Sequence, residues 1–522
     1  MEETVVKKKS FKTLIVLIVT ALVVVGGSAS AFFLLNKSSK VQYFLAEVET
    51  YKQMSTLAEE RYKNEVNWMK VQQEKPVETR YDLSGEWNDS SVDYMMQEIQ
   101  SIVNSVTLSM NQVYDPTNKE LEVALSGELG NLSVDFGSIF ATTEKLVAEL
   151  PFVDELIRFD DKDFGKVMRE FDENFEGNEN LGLPQLFESS SSSMEEMNMY
   201  IEKEYIEFLI KELPEDAFTT DKEEILVADQ KVKAKKITMN LSEEQVKTLL
   251  KDLLAKAKTD EKLKEIVKNQ LGVSAFAGDL SASDLAIVVE EFDKGIDAAI
   301  EGVDTLSIPN GLQSTIWHQS NHIVKRDFAL TIGSNEVDIV AINVTGTQLL
   351  EKTAQQLDYK LAFTDSFGDE NAVNIKGNLS WKDQKADDSI AISVEDLKFS
   401  YDGQEELKDN KRTFTRTFKF TDGFSEPALI WKGSATHDSD AMKANHEFTV
   451  SERGLDGDMF NLLIKQQGKV VKKVDMPEET ANTVNVGQMD REQIESFIEL
   501  EVVPKVEDWF YDLMGDVEGE LY

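Results

Sequence analysis

Apolar and polar positions along this chain follow two periods, and the switches between them mark out the elements. Between Lys37 and Pro76 no Gly or Pro occurs, and Val41, Phe44/Leu45, Val48, Tyr51, Leu57/Ala58, Tyr62, Val66 and Met69 recur at helical spacing. Ser38 or Ser39 can cap the start and Pro76 stops it, so one long helix is predicted over 36–76. The stripe holds few Leu or Ile and several bulky aromatics, which suits packing against its own domain better than a tight coiled-coil seam. Residues 77–188 change to a period of two. "VETRYDLSGEW", "SVTLSMNQVY", "KELEVALSG" and "NLSVDFGSIFA" read as strands, with a short helix from about Ser91 to Asn104 between them.

A helical segment is predicted over 189–310. It opens on the Ser run before Met194, carries stripes at Met197, Ile201 and Tyr205 and at Leu285, Val288 and Phe292, and includes a capping box at Ser242/Gln245. Residues 311–522 then return to strands. Most alternate cleanly, the mark of antiparallel strands with one buried and one wet face, and a closing helix from about Asp490 is kinked at Pro504. In that helix Ile494, Phe497/Ile498, Val506, Trp509/Phe510 and Leu513 are expected to face inward. Strands, helices, strands, helix is the order of an α+β fold. The expectation is therefore large antiparallel β-sheets in an N-terminal β-rich lobe (77–188) and a C-terminal one (311–522), covered by the central and closing helices.

Ahead of all this, an uncharged and mostly apolar stretch runs from Thr13 to Leu35. As a helix it spans about 34 Å, a little more than a hydrocarbon core of roughly 30 Å. Lys7, Lys8, Lys9 and Lys12 precede it, so residues 1–12 are expected as a cytoplasmic basic tail and 13–35 as a transmembrane helix, with Leu14, Ile18, Val25, Phe32 and Leu35 among its anchoring side chains. Everything beyond 36 then lies outside the cytoplasm. The competing reading is a signal peptide cut after Ala29-Ser30-Ala31, which releases the chain. Phe32-Phe33-Leu34-Leu35 would then become an apolar new N-terminus, so the anchor is preferred.

Charge and composition narrow the functions. Against 55 basic residues stand 97 acidic ones, a net charge of −42, which disfavours nucleic acid as a partner. There is no cysteine, hence no disulfide, thiolate metal site or Cys nucleophile. No nucleophile elbow, phosphate-binding loop or dinucleotide fingerprint occurs. His318 and His322 have the spacing of a metal pair, but "STIWHQSNHIVKRDF" reads as a hairpin around Gln319-Ser320-Asn321, on whose strands the two could face each other. His437 and His446 bracket a stretch read as loop. "DDKDFGKVMRE" (Asp160–Glu170) departs from a calcium loop in its glycine and its twelfth position and reads as a helix-entry turn; "FTDSFGDEN" (Phe363–Asn371) reads as a weak Ca²⁺ loop or a polar hairpin. No cofactor or metal is expected, and no single carboxylate pair stands out for hydrolysis.

The basic N-terminus with its span, then "VQYFLAE", "DKDFGKVM" and "HIVKRDFALTI", resemble a group of uncharacterised membrane-anchored exported proteins of Gram-positive spore-forming bacteria. At the level of architecture, a sheet covered by helices is similar to lipoprotein-carrier domains. The function expected on these grounds is a single-pass, membrane-anchored extracytoplasmic protein of the cell envelope. It is expected to be non-enzymatic and to bind a lipid, peptide or protein ligand. A hydrolase of envelope polymers, or a structural or regulatory partner of a membrane complex, are the alternatives.

Overall fold

Alternation in the sequence carries directly into strands. The computed structural model describes residues 38–88, 94–130, 132–172, 175, 177–187, 197, 199–267, 282–334, 339–451 and 460–521. Within them the strands are β1 (Val77–Trp87), β2 (Val106–Asp115), β3 (Glu120–Leu129), β4 (Leu132–Ala141), β5 (Lys145–Glu149), β6 (Ile157–Asp160), β7 (Phe218–Val227), β8 (Gln230–Leu241), β9 (Leu312–Gln319) and β10 (His322–Gly333). There follow β11 (Ile339–Leu350), β12 (Ala354–Thr364), β13 (Glu370–Ser380), β14 (Lys385–Val394), β15 (Leu397–Lys408), β16 (Lys411–Thr421), β17 (Ala428–His437), β18 (Ala441–Ser451), β19 (Phe460–Val470) and β20 (Val484–Asn485).

All belong to one 20-stranded sheet. Its neighbours run in chain order from β7 to β19, pass to β1, continue to β6 and finish on β20. Only the short β6–β20 pairing is parallel. The join lies between β1 and β19, paired from Val77↔Val470 to Trp87↔Phe460, so the early and late β-rich stretches share one sheet. Two-residue turns close β7–β8 (Ala228, Asp229), β9–β10 (Ser320, Asn321), β13–β14 (Asp383, Gln384) and β15–β16 (Asp409, Asn410). Both central residues of each have positive φ, the geometry that matches strand twist.

Two helices, α1 (Ser39–Arg61) and α2 (Lys63–Glu74), lie across the strands as a spine. Ser38 caps α1 by accepting from the Val41 N–H, and the helix breaks at Tyr62. A helical turn advances about 5.4 Å against about 4.8 Å between strands, and with the reach of its side chains the spine touches strands from β7 to β19. Ser39 meets Thr220 of β7 (2.7 Å), Tyr43 meets Ser314 of β9 (2.6 Å) and Glu47 pairs with Arg326 of β10. Farther along, Gln355 of β12 donates to the carbonyls of Gln53 and Met54, Arg61 reaches Asp388 of β14, Glu65 reaches Arg412 of β16, and Trp68 packs over Gly468 of β19. A Cβ at Gly468 would come within 2.7 Å of the Trp68 ring, so glycine is what allows that approach.

The main hydrophobic core sits at the β8–β10 end. The start of α1 packs there with α5 (Glu207–Glu212), α6 (Glu243–Lys258) and α7 (Ala282–Thr305), around fully buried Ile237, Ile308, Leu312, Ile316 and Ile323. Further helices include α3 (Tyr94–Ser105), α4 (Phe164–Phe171), α8 (Arg491–Phe497) and α9 (Val503–Leu521). Trp509 of α9 packs against Phe136 and Phe152 beside β4, whereas Ile498 and Phe510, expected inward, are exposed.

The α+β expectation is thereby corrected to a mainly β fold built on a single continuous sheet. The sequence reading assumed that helices cover the sheet's apolar face throughout; among the described residues they cover β7 to β10, a strip under the spine, and parts of β1 and β4 where α3 and α9 pack. The N-terminal transmembrane helix expected over 13–35 lies outside the described residues. Among those described, no helix is long and apolar enough to cross a membrane.

Candidate functional site

Residues paired directly across antiparallel strands point to the same side of a sheet, so the register sorts the side chains into two faces. One face carries Lys376, Asp387, Gln404, Thr415, Lys432, Glu447 and Lys465 along neighbouring strands. The other is apolar across the molecule and is the one the spine crosses. Tyr401↔Phe418↔Leu429↔Val450 runs across β15 to β18, and the Phe460↔Trp87 pair of β19 and β1 follows. Val344↔Leu361↔Val373↔Val394↔Leu397 does the same across β11 to β15. Beyond β1 the face continues through Tyr81↔Met110↔Leu125.

Under the spine this face is closed and polar contacts clasp the helices to it. Glu405 Oε2 accepts from Arg61 Nε and Arg412 Nη1, both at 3.0 Å, while its Oε1 accepts from Arg416 Nε (3.1 Å) and the Tyr62 hydroxyl (3.1 Å). Asp388 takes Arg61 Nη1 at 2.6 Å and the Ser380 N–H at 2.9 Å. Burial pushes the Glu405 carboxyl up, but its hydrogen bonds from Arg61 and Arg416 outweigh that and hold it below the usual carboxylate range. Arg416 stacks on Phe414 (4.4 Å) and Trp431 (4.6 Å), forming the border between clasp and open face.

From that border to the far ends of the strands the face of β11 to β18 has no described layer over it, whereas Val103 of α3 packs at Gly85 of β1 and Trp509 of α9 at Phe136 of β4. Phe363, Leu397, Phe399, Phe420, Leu429, Val450 and Phe460 all lie on it and are all exposed, Val450 by 57%. Exposed large apolar side chains elsewhere in the sheet, Leu108, Leu125, Ile139 and Val340, point the same way. The band extends from β11 to β4, roughly 60 Å at about 4.8 Å per strand. Along the strands, from Tyr401 through Phe399 to Leu397, it is about 14 Å wide. Helices α6 and α7 bound one end and α9 the other. The packed end beneath α1 leaves a cavity of about 20 Å³, lined by Tyr43, Phe44, Leu209, Met239 and Leu312 among others; the open band is the candidate site.

The residues singled out from the sequence fall elsewhere. His318 pairs with Ile323 and His322 with Gln319, one residue either side of the turn register, so the two histidines project to opposite faces and do not form a metal pair. His318 is buried with both ring nitrogens unpartnered, and burial, with Lys235 adding to it, pushes it down to about 4. His446 accepts from Trp431 Nε1 at 3.2 Å on the apolar face, and only a three-residue turn, 438–440, separates its strand from His437. Asp161 accepts from the Gly182 and Leu183 N–H groups (2.8 Å each) ahead of α4, a structural turn. Asp365 accepts from the Phe367 and Asp369 N–H groups (2.9 and 3.0 Å), fixing a hairpin loop. Among the described residues no group of three or more His, Cys, Asp or Glu could hold a metal. The anchoring side chains Leu14, Ile18, Val25, Phe32 and Leu35 lie outside the described residues. Sequence reading passed over the open band although its signal was present: alternating strands outnumber the helices able to cover them.

No family model and no curated protein matches this chain. Solved structures similar to it include Pseudomonas aeruginosa OccK3 (OpdO), 5% identical over 76% of this chain and 94% of that one, with a TM-score of 0.23. P. aeruginosa OpdQ is 5% identical over 76% and 97%, TM-score 0.24, and Acinetobacter baumannii OccAB2 is 4% identical over 76% and 97%, TM-score 0.25. The Pseudomonas proteins are outer-membrane porins. The resemblance to Gram-positive anchored proteins and lipoprotein carriers is thus corrected, since the neighbours found are large β-sheet proteins of a different kind. The single-pass, helix-anchored envelope protein with a cytoplasmic N-terminus is corrected on the same finding, and the segment it rested on, 13–35, lies outside the described residues. A membrane partner is common to the expectation and to these neighbours. At such scores the likeness carries no further argument about this chain.

Proposed function

We propose that the open face is a non-catalytic binding surface for long apolar chains of the acyl type. The observation that carries this reading is that the exposed large side chains of β11 to β19 fall on one face, in unbroken cross-strand ladders, while the other face is charged and hydroxylated. Exposed apolar patches of such extent mark interaction sites in soluble proteins. The dimensions favour a hydrocarbon chain. Between spine and rim the band measures about 14 Å, close to the roughly 15 Å that a chain occupies in one leaflet of a bilayer. Each methylene moved onto it from water contributes about 0.8 kcal/mol. Directional polar groups are concentrated at the spine border, where Asp388 and Glu405 are neutralised by guanidinium groups and so are poorly placed to act as acid or base. The polar outer face is the reverse of the apolar outer band by which strands cross a bilayer.

Phe399→Asp/Val450→Asp tests the reading, because both positions are already exposed and the change costs little stability. Binding of a fluorescent C16 or C18 fatty acid should weaken at least tenfold with the unfolding transition unmoved. Unchanged binding in the variant, or none to the parent chain, sinks the proposal.

A further inference from the structure

The two ends of the strands differ. At the spine end the described hairpin connections run from two to four residues, 438–440 and 116–119 among them. At the opposite rim lie the longer connections 365–369 and 422–427, and each holds a phenylalanine almost wholly in solvent: Phe367 is 90% exposed and Phe424 92%. Each loop is preformed. Asp365 accepts from the Phe367 and Asp369 N–H groups, and Asp422 from the Phe424 and Ser425 N–H groups at 2.9 Å each, while Gly368 and Gly423 adopt positive φ. Helix α3 occupies the same rim, between the ends of β1 and β2. It is tied there by Gln100 and Asn104 to the Trp87 carbonyl, and it exposes Ile99 and Ile102. The β12–β13 loop, the β16–β17 loop and α3 thus stand on one rim, separated along the sheet by four strand spacings each, roughly 19 Å. Just inside them the exposed Phe363, Phe399, Phe420 and Phe460 continue the apolar surface into the band.

We infer that this rim docks on an electrically neutral lipid bilayer, with Phe367 and Phe424 entering the interface, so that chains pass between bilayer and band without crossing water. The inference rests on the chain-binding reading of the band and adds how that band is loaded. Isolated aromatic tips on separate loops of one rim, Phe367 and Phe424, suit a lipid interface better than one pocket of a globular partner. The segments 364–370 and 421–427 contain acidic residues and no basic one. An anionic surface is therefore repelled, and zwitterionic headgroups are the lipid class that fits.

The chain has no cysteine, so Phe367→Cys, Phe424→Cys and, on the spine rim, Lys352→Cys each accept one thiol-reactive bimane on the full chain. Phosphatidylcholine vesicles bearing nitroxide acyl chains serve as the probe. Quenching at 367 and 424 should exceed that at 352 at least threefold. A label placed through Glu395→Cys on the same rim should lose its quenching in the Phe367→Ser/Phe424→Ser background. Equal quenching on both rims, none at 367 and 424, or an unchanged signal in that background overturns the inference. So does protection of the 367 label by rising protein concentration without vesicles, which makes the rim a contact between copies. The fatty-acid assay on Phe399→Asp/Val450→Asp separates the two ideas: rim quenching with unaffected chain uptake removes the band and leaves the docking edge, and the converse removes only the edge.

Discussion

His318 shows how one residue can matter to stability without serving a site. It sits on β9 at 7% exposure, opposite Ile323 and Lys235, with neither nitrogen hydrogen-bonded. Its folded pKa of about 4 lies below the ordinary 6.5 because burial opposes the charged form. Between those values the unfolded chain takes up a proton that the folded one refuses, so stability falls as pH drops from 6.5 towards 4 and is unaffected by this group above 6.5. The contribution is on the order of 2 kcal/mol. His318→Phe should remove that part of the pH dependence, read from urea unfolding at pH 7 and pH 5. A parent and variant that lose equal stability over this interval contradict the assignment. The sequence showed the His318–His322 spacing and the turn between them. It did not show that the two-residue turn puts them on opposite faces, because a one-residue change of register decides that.

At the scale of elements, the spine is the feature that the sequence half disclosed. Its start at Ser38, its stop before Pro76 and its packing on the chain's own domain follow from capping and from the aromatic stripe. Its partner does not, because the contacts bridge residues more than 300 apart, such as Arg61 with Glu405. The hairpins were equally legible, whereas the β1–β19 join was not, for no turn signal connects strands so distant in the chain. Nor does a helical stripe reveal how many strands it will cover, and this is why the sheet was expected to be fully roofed. The clasp around Glu405 gives a prediction of its own. Removing one partner of a buried ionic cluster typically costs about 3–5 kcal/mol, since the opposing charges stay buried. Glu405→Gln should destabilise the α1–α2 junction by an amount of that order, with faster amide exchange across 57–74 than across β16 to β18. Because the folded Glu405 pKa lies below the ordinary 4.5, the clasp is fully effective above that value and weakens as pH falls through the folded one. Protection of 57–74, taken relative to the intrinsic exchange rate at each pH, should therefore fall in the parent below about pH 4.5 and stay flat in the variant.

For the molecule as a whole, the excess of 97 acidic over 55 basic residues acquires a role that composition alone did not give it. An apolar band that no described layer covers from β11 to β18, roughly 34 Å along the sheet, is a self-association hazard, since two copies could bury their bands face to face. A net charge of −42 opposes that encounter. The opposition is tunable, because the screening length falls from about 10 Å at 0.1 M salt to about 3 Å at 1 M. Sedimentation velocity should then show a single copy at low salt and growing self-association towards 1 M NaCl. Phe399→Asp/Val450→Asp should suppress the high-salt species, because its effect is on the band and not on the overall charge, which it shifts by only two units. If salt leaves the parent monomeric, charge is not what keeps the bands apart. If the variant associates as readily as the parent, the contact lies elsewhere on the surface, and the acidic balance answers to something other than the open face.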